Sequence, residues 1–469
     1  MERVLNTKER IEAAAPQAGP TPLSADPPET RPAGPPQTEP RSGAETGRRQ
    51  WTGALILTLT MLGVSAANYL LNLALARFLP PAQFGDANLA VNLVLVTAAV
   101  AATLQLLSAR AGALAGPSQF DTRRTLRRWA WGVGGFVGAA MTLCSSPLAH
   151  IFNTSTPLVF VVIGVGLPVY LAQAVMRGAL QGDLRMGRLA VSYAAEAATR
   201  VGLALVMLAL GFGVVGAAIA ISLSFVASAF VARHHVVGAP GVAPAGATAA
   251  GPKAVGPGVS VAATTLLIGQ VVIANGDVIL AKAVMTPEAA GTYAAAAVIG
   301  RGLYFLSWAV VHSTFPVVAR AKSPAERRRA SLRALRMVGI TCVAGVAGLA
   351  LLDEQLVPLL LGDGYGRAAE LLVPYAVATT LFAMANLVAT LDLAVGRWLS
   401  PSALLLGAAL QSLLLVVFGG TPMSMVIAQV AAMGATVVLV AAAHLCDNRC
   451  ELRSSQPAGV DSRARRTVK

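Results

Sequence analysis

The sequence predicts an all-α integral membrane protein of about 12 transmembrane helices. Hydrophobic residues make up 55% of its 469 residues, charged residues make up only 12%, and the mean hydropathy is +0.65. A soluble domain carries about 25% charged residues, so a chain this apolar needs lipid around its surface. The net charge of +14 does not indicate nucleic-acid binding, because the basic residues stand in tails and short loops between apolar stretches.

Uncharged stretches define the individual spans. A helix needs about 20 apolar residues to cross about 30 Å of hydrocarbon, and stretches of twice that length divide at clusters of Gly, Pro, Ser, Thr and Asn. The predicted spans cover residues 50–76, 87–109, two spans within 129–176, two within 189–232, 259–281, 289–311, 335–352, 371–391, and two within 398–443.

The charge of the loops predicts the orientation of these spans. With the amino terminus in the cytoplasm beside Arg48 and Arg49, the even-numbered loops hold 18 basic residues, whereas the odd-numbered loops hold only Arg77, Lys282 and Arg367. Basic residues concentrate on the cytoplasmic side of membrane proteins. We therefore expect both termini to lie in the cytoplasm.

Composition also predicts the domain organisation. Residues 1–50 hold nine prolines and almost no large apolar side chain. Such a segment cannot bury enough surface to offset its ordering entropy, so we predict a disordered cytoplasmic tail. It lacks the apolar centre of a cleavable signal peptide. The remaining predicted units are a six-helix half at 51–232, a cytoplasmic linker at 233–258, a second six-helix half at 259–443, and a basic cytoplasmic tail at 444–469.

A short repeat relates the two halves. Residues 79–85 after span 1 match residues 285–291 after span 7 at an offset of 206 positions, in a pattern that shares Pro81 with Pro287 and Gly85 with Gly291. Because each half contains an even number of spans, the halves are expected to be parallel repeats related by an axis along the membrane normal. In transporters built from repeats, the substrate site lies at the interface between them.

These segments resemble the polysaccharide-biosynthesis membrane proteins, the O-antigen and capsule flippases of the multidrug/oligosaccharidyl-lipid/polysaccharide (MOP) exporter superfamily. The resemblance rests on the Pro-x-x-x-Gly ends of spans 1 and 7, on Asn-Gly-Asp-Val-Ile-Leu at 275–280 and on Gly-Asp-Gly-Tyr at 362–365, and it covers about residues 52–443. It implies a MATE-like fold and transport rather than catalysis. The chain departs from the family in its long proline-rich tail and in having fewer spans than many members.

Two arginines lie near the middle of predicted spans, where a charge costs roughly 2.5–3.5 kcal/mol. They are Arg200 in span 5 and Arg301 in span 8; Glu196 precedes Arg200 by one helical turn, and Asp277 lies near the outer end of span 7. Guanidinium groups bind phosphate oxygens in bidentate fashion. Arg301 and Arg200 are therefore the predicted substrate-binding residues, in a cationic cavity between the halves. Glu196 and Asp277 are the predicted coupling or gating residues, with H⁺ or Na⁺ as the ion.

A structural alternative stays open for each charged residue. Glu196 and Arg200 can neutralise each other across one helical turn, Asp277 can pair with Lys282, and Arg301 can pair with an acid on another helix, such as Glu196. The polar residues within spans are typical of interhelical hydrogen bonding rather than of ligand binding; they are Asn68, Asn72, Gln105, Gln173 and Gln270. The basic runs 123–128 and 327–336 are expected to fix the topology and to contact anionic lipid head groups.

The resemblance implies a flippase that moves lipid-linked oligosaccharide or polysaccharide precursors, whose lipid carries a sugar phosphate or pyrophosphate, across the cytoplasmic membrane by alternating access. A drug/cation antiporter or a lipid II flippase of the same superfamily is the alternative within transport. An integral-membrane sugar polymerase or ligase is the alternative of another class, although the longest predicted outer loop, about 353–370, is short for such an enzyme. No motif indicates catalytic residues, a metal site or another cofactor.

Overall fold

The structure is a computed structural model of the chain that describes residues 43–113, 118–233, 257–321 and 323–454. Most of the predicted tail 1–50, nearly all of the linker 233–258 and the end of the tail 444–469 lie outside the described residues. The chain divides after Arg48, and its second unit is Arg49–Lys469. All packing and side-chain contacts given below belong to the second unit.

The described part of the chain is helical, with 14 α-helices and one 3₁₀ helix at Asp363–Ala368. In chain order the α-helices are α1 (Gly43–Phe78), α2 (Pro81–Ala113), α3 (Ser118–Leu143), α4 (Ser145–Ile151), α5 (Leu158–Gly182), α6 (Met186–Ala209), α7 (Gly213–Arg233), α8 (Pro257–Val284), α9 (Pro287–Gly300), α10 (Gly302–Arg320), α11 (Pro324–Leu361), α12 (Ala369–Ala394), α13 (Leu399–Phe418) and α14 (Pro422–Ser454).

The all-α membrane fold predicted from the sequence is confirmed. Ten of the described helices are long and apolar enough to span a membrane, and the number is 11 when α3 and α4, which meet at 68°, form one bent span. The predicted eighth span, 289–311, is divided at Arg301 between α9 and α10. Each predicted span therefore corresponds to one helix or to a pair of consecutive helices.

Five of the described helices begin with proline, at the position where its missing N–H leaves no bond unmade. These prolines are Pro81, Pro257, Pro287, Pro324 and Pro422. The Thr286 hydroxyl accepts a hydrogen bond from the Ala289 amide (3.4 Å), and the Ser323 hydroxyl accepts one from the Glu326 amide (3.2 Å). These caps satisfy amides that have no partner within the helix.

The repeat predicted from the sequence brings its two glycines into contact. A Cβ added to Gly85 would lie 3.2 Å from Gly291 Cα, and a Cβ added to Gly291 would lie only 1.8 Å from the Pro81 carbonyl oxygen. Only glycine therefore allows α2 of the first half to cross α9 of the second half this closely. The two glycines occupy equivalent positions of the predicted repeat, so the repeat meets itself at this crossing.

The outer surface is strongly apolar. Phe136, Leu143 and Leu351 have exposed fractions of 77%, 83% and 81%. A soluble protein rarely exposes so much contiguous apolar area, whereas a helical membrane protein presents it to lipid. The largest buried cluster includes residues of α2, α5, α7, α8, α9 and α12, with Phe84, Phe225 and Tyr293 wholly buried.

Candidate functional site

Arg301, between α9 and α10, forms a buried ion pair with Asp277 of α8. Its Nη2 lies 2.5 Å from Asp277 Oδ1, and its Nε donates to the hydroxyl of Tyr375 on α12 (3.2 Å). The Tyr375 hydroxyl donates to Asp277 Oδ2 (2.7 Å), and the Tyr293 hydroxyl lies 3.2 Å from the same oxygen and 2.8 Å from Gln429 Oε1. Asp277 is 1% exposed, so this network supplies the partners that a buried carboxylate requires.

Two of the expected alternative pairings were wrong. Asp277 does not pair with Lys282, and Arg301 does not pair with Glu196, since each has a different partner in the structure. The first pairing was expected because its residues lie close in the sequence, and the second because both residues lie near the middle of predicted spans. Partner choice depends instead on which helix faces point at one another.

A cavity of about 200 Å³ lies beside Arg301. This is room for about six water molecules, enough for a phosphate or pyrophosphate group but not for an oligosaccharide. Most of its walls come from α8, α10, α12 and α14 of the second half, and Leu95 of α2 closes it from the first half. Its polar lining consists of Arg301 with Asn275, Tyr304, Tyr375, Thr379 and Gln429.

A second buried charge cluster lies in the first half, on α5 and α6. Glu196 is bonded to Arg200 on its own helix, so the expected pairing across one turn is confirmed. Glu196 is also bonded to Arg177 Nη2 at 2.6 Å. Gln173 approaches the same carboxylate at 3.4 Å, and Ser192 accepts from Arg177 Nε at 3.0 Å. Two guanidinium groups thus share one carboxylate, which leaves the cluster with one positive charge in excess.

Arg177 was missed in the sequence because its position suggested a cytoplasmic loop. The structure places it within α5, with 5% of its surface exposed. Its guanidinium also lies over the ring of Tyr193, 3.8 Å from the ring centroid. The uncharged stretch that predicted span 4 ends just before it, and this long side chain reaches from the end of that stretch toward α6 and α7.

Asp86 and Lys282 form a third buried ion pair, which connects the two halves. Asp86 on α2 follows the repeat glycine Gly85, and its Oδ1 lies 2.6 Å from Lys282 Nζ on α8. The side chains are 2% and 0% exposed. The other Asp86 oxygen accepts from the amide and the hydroxyl of Ser155 (2.9 and 2.7 Å), and Lys282 also donates to the Asn153 carbonyl (3.2 Å). Lys282 was expected in an outer loop, so that assignment was wrong.

Another cluster lies where α12, α13 and α14 meet. Asp392 lies 3.0 Å from Arg397 and 2.9 Å from the His444 ring, and it accepts a 2.5 Å bond from the Ser400 hydroxyl. These contacts stay within the second half, and α14 continues past His444 to Ser454. Among the described residues, no group of three or more His, Cys, Asp or Glu side chains could hold a metal ion.

Comparison with known proteins adds a family and a fold. The sequence model of a family described as "Polysaccharide biosynthesis protein" matches residues 50–322. No curated protein sequence matches the chain.

Three solved structures illustrate the likeness in fold. An inward-facing multidrug resistance MATE transporter of the MOP superfamily has a TM-score of 0.69 at 16% identity, over 86% of this chain and 100% of that chain. The lipid II flippase MurJ, in an inward closed conformation, has a TM-score of 0.63 at 9% identity, over 85% and 91%. A MOP superfamily transporter from Pyrococcus furiosus, whose reversed binding-pocket polarity suggests a different function, has a TM-score of 0.54 at 17% identity, over 86% and 97%. These similarities show a MATE-like fold, as predicted from the sequence.

Proposed function

The chain belongs to the family of polysaccharide biosynthesis proteins, and on this premise we propose that it flips lipid-linked oligosaccharide or polysaccharide precursors across the cytoplasmic membrane by alternating access. It is a multi-pass membrane protein with the fold of MOP-superfamily transporters. The proposed substrate carries a phosphate or pyrophosphate between its lipid and its sugars. Both termini lie in the cytoplasm on this proposal, so the Asp86–Lys282 pair lies toward the outer face.

The observation that carries the proposal is the position of Arg301 beside a cavity of the second half that Leu95 of the first half also lines. A guanidinium has five N–H groups, and three of those of Arg301 have acceptors among the described residues: Tyr375, Asp277 and Asn92. The remaining N–H groups are available to a ligand. A phosphate oxygen is a strong acceptor for them because the bond is charge-assisted.

The excess positive charge of the first-half cluster supports an anionic substrate. Arg177 and Arg200 share the single carboxylate of Glu196, and a net charge buried in a membrane protein favours an ion of opposite sign nearby. A drug/cation antiporter would instead favour a cavity with negative charge. Arg200 is accordingly the second proposed contact of the phosphate during its passage.

Asp277 and Glu196 are the proposed coupling residues. Each carboxylate competes with the substrate phosphate for an arginine, because N–H groups that donate to a carboxylate cannot donate to a phosphate at the same time. A proton on Asp277 would remove its negative charge and release Arg301 to the phosphate. Proton binding and phosphate binding would then favour each other, as thermodynamic linkage requires.

A flipping assay with substituted arginines tests the proposal. Arg301→Ala should abolish translocation of a fluorescent lipid pyrophosphate oligosaccharide in proteoliposomes, and Arg301→Lys should restore only part, because an ammonium cannot form the bidentate contact. Arg367→Ala, at an exposed arginine outside this site, should flip at the parental rate.

Loss of stability is separated from loss of transport by a double substitution. Arg301→Ala leaves Asp277 buried without its cation, which costs about 3–5 kcal/mol. Arg301→Ala with Asp277→Asn should recover the thermal stability without recovering flipping. Normal transport by a stable protein lacking Arg301 would refute the proposed cationic site.

A further inference from the structure

Four asparagines on α1 and α2 join the two arginine clusters of the halves. Arg301 Nη1 donates to Asn92 Oδ1 at 3.2 Å, and at the other end Arg200 Nη1 donates to Asn68 Oδ1, also at 3.2 Å. Between these ends, amide nitrogens donate from Asn92 to Asn88 Oδ1 (2.7 Å), from Asn88 to Asn72 Oδ1 (3.3 Å) and from Asn72 to the Asn68 carbonyl (2.9 Å). We name Asn68, Asn72, Asn88 and Asn92 the asparagine run.

The arginine at each end determines how the amides point. A guanidinium only donates hydrogen bonds, so Asn92 must turn its oxygen to Arg301 and its nitrogen to Asn88. Asn88 and Asn72 repeat that orientation in turn. At the far end, Arg200 donates to the side-chain oxygen of Asn68, and Asn72 donates to the backbone carbonyl of Asn68, one helical turn earlier.

The edge of Arg301 that remains for a bidentate ligand includes the nitrogen held by Asn92. Nε donates to Tyr375 and Nη2 donates to Asp277. These two bonds occupy the Nε–Nη2 edge of the guanidinium. A phosphate that binds with two parallel N–H groups must therefore use Nη1 together with Nη2. Nη1 is the nitrogen that reaches across the halves to Asn92.

We propose that Asn92 positions Arg301 in the resting state and that a pyrophosphate group of the substrate, bound to the second N–H of Nη1 and to Nη2, draws the guanidinium away from Asn92, so that ligand binding loosens the contact between the halves. This inference rests on the proposed function, because it requires an anionic substrate at Arg301. A phosphate oxygen carries a negative charge, so it attracts the guanidinium more strongly than the neutral amide oxygen of Asn92 does. Asn92 is 1% exposed, so losing Arg301 would leave its oxygen buried without a donor, a cost that falls when α2 moves and admits water.

Thiol accessibility at the contact between α2 and α9 measures this loosening. Ala290 precedes Gly291, which contacts Pro81 of α2, and is 0% exposed, so a cysteine introduced there should react faster with a maleimide when the halves separate. Phe212, which is 54% exposed, gives a reference cysteine that is accessible in every state. Both cysteines are placed in a protein without the four native ones.

The probe is farnesyl pyrophosphate, which carries the isoprenyl pyrophosphate without the sugar, and inorganic pyrophosphate serves as the free anion. We expect farnesyl pyrophosphate to accelerate labelling at Ala290→Cys in the parental protein. Asn92→Ala should raise the rate without any ligand by roughly tenfold, the effect of losing one hydrogen bond to a charged group, and should remove most of the further response. Asn92→Asp supplies a permanent carboxylate to Arg301 and should slow labelling with and without the probe.

Asn386→Ala is the matched control. Asn386 is also 1% exposed and accepts one interhelical bond, from Gln270 at 2.6 Å, but both residues belong to the second half. It should label like the parental protein. A stronger response to inorganic than to farnesyl pyrophosphate would indicate a free anion as the ligand and overturn the assignment to a lipid-linked substrate.

Two results would overturn the role of Asn92. If Asn92→Ala labels at the parental rate and keeps the full response to farnesyl pyrophosphate, the exchange is refuted while the proposed substrate survives. If the parental protein does not respond to either pyrophosphate although Asn92→Ala raises the basal rate, the exchange and the anionic substrate are both refuted.

Discussion

The buried pair of Asp86 and Lys282 gives a quantitative prediction about the contact between the halves. Asp86→Asn leaves the Lys282 ammonium buried with no anion. At 2.6 Å and an effective dielectric constant of about 20, the lost Coulomb attraction is about 6 kcal/mol. Measured losses for one partner of a buried pair are about 3–5 kcal/mol, and we adopt that range.

The lost stability mainly affects the conformation in which Asp86 and Lys282 are in contact. When the halves separate at this end, water reaches Lys282 and the missing carboxylate matters little. Asp86→Asn should therefore shift the equilibrium toward the separated state by roughly 100- to 4,000-fold. Maleimide labelling at Ala290→Cys should accelerate accordingly.

A second substitution distinguishes the buried charge from a general packing defect. Asp86→Asn with Lys282→Met removes the charge and retains much of the volume, and buried pairs replaced by apolar side chains are often as stable as before. The double variant should label as slowly as the parental protein.

The Arg123–Asp183 pair provides the control. Its atoms are 2.7 Å apart, but its side chains are 17% and 39% exposed and both belong to the first half. Such pairs contribute about 0–1 kcal/mol, so Asp183→Asn should leave labelling unchanged. Parental labelling by Asp86→Asn, or equal effects of Asp86→Asn and Asp183→Asn, would refute the reasoning.

Three further predictions concern topology, the tail and the repeat. Single cysteines within residues 233–258 should react only from the cytoplasmic side in oriented membranes; reaction from outside would mean an odd number of preceding spans and would refute the parallel repeat. Deletion of residues 1–45 should leave insertion and flipping near normal, because the basic residues that flank span 1 remain, and complete loss of flipping would show that the tail is essential. Gly291→Ala should lower the melting temperature by the equivalent of about 1–3 kcal/mol, because its Cβ would lie 1.8 Å from the Pro81 carbonyl; Gly348→Ala, which meets no atom within 4 Å, should not, and equal melting temperatures would contradict the close crossing.

Local sequence patterns determined the membrane fold and part of the site. The length of uncharged stretches is a property of consecutive residues, so the spans matched helices or helix pairs along the described chain. The repeat was visible because Pro81 and Pro287 start equivalent helices. The Glu196–Arg200 pair was predictable for the same reason, since residues four apart on one helix face the same side.

Tertiary structure decided the remaining partners. Asp277 and Arg301 are 24 positions apart, and Asp86 and Lys282 belong to different halves; which of these side chains meet depends on the rotation and crossing of whole helices. Hydropathy assigns a basic residue to a span or a loop by its position in the sequence. The charged end of a long side chain can lie several ångströms from that position. Lys282 was assigned to a loop because a charge usually marks the end of a span, although it lies within α8 and its ammonium is buried against Asp86.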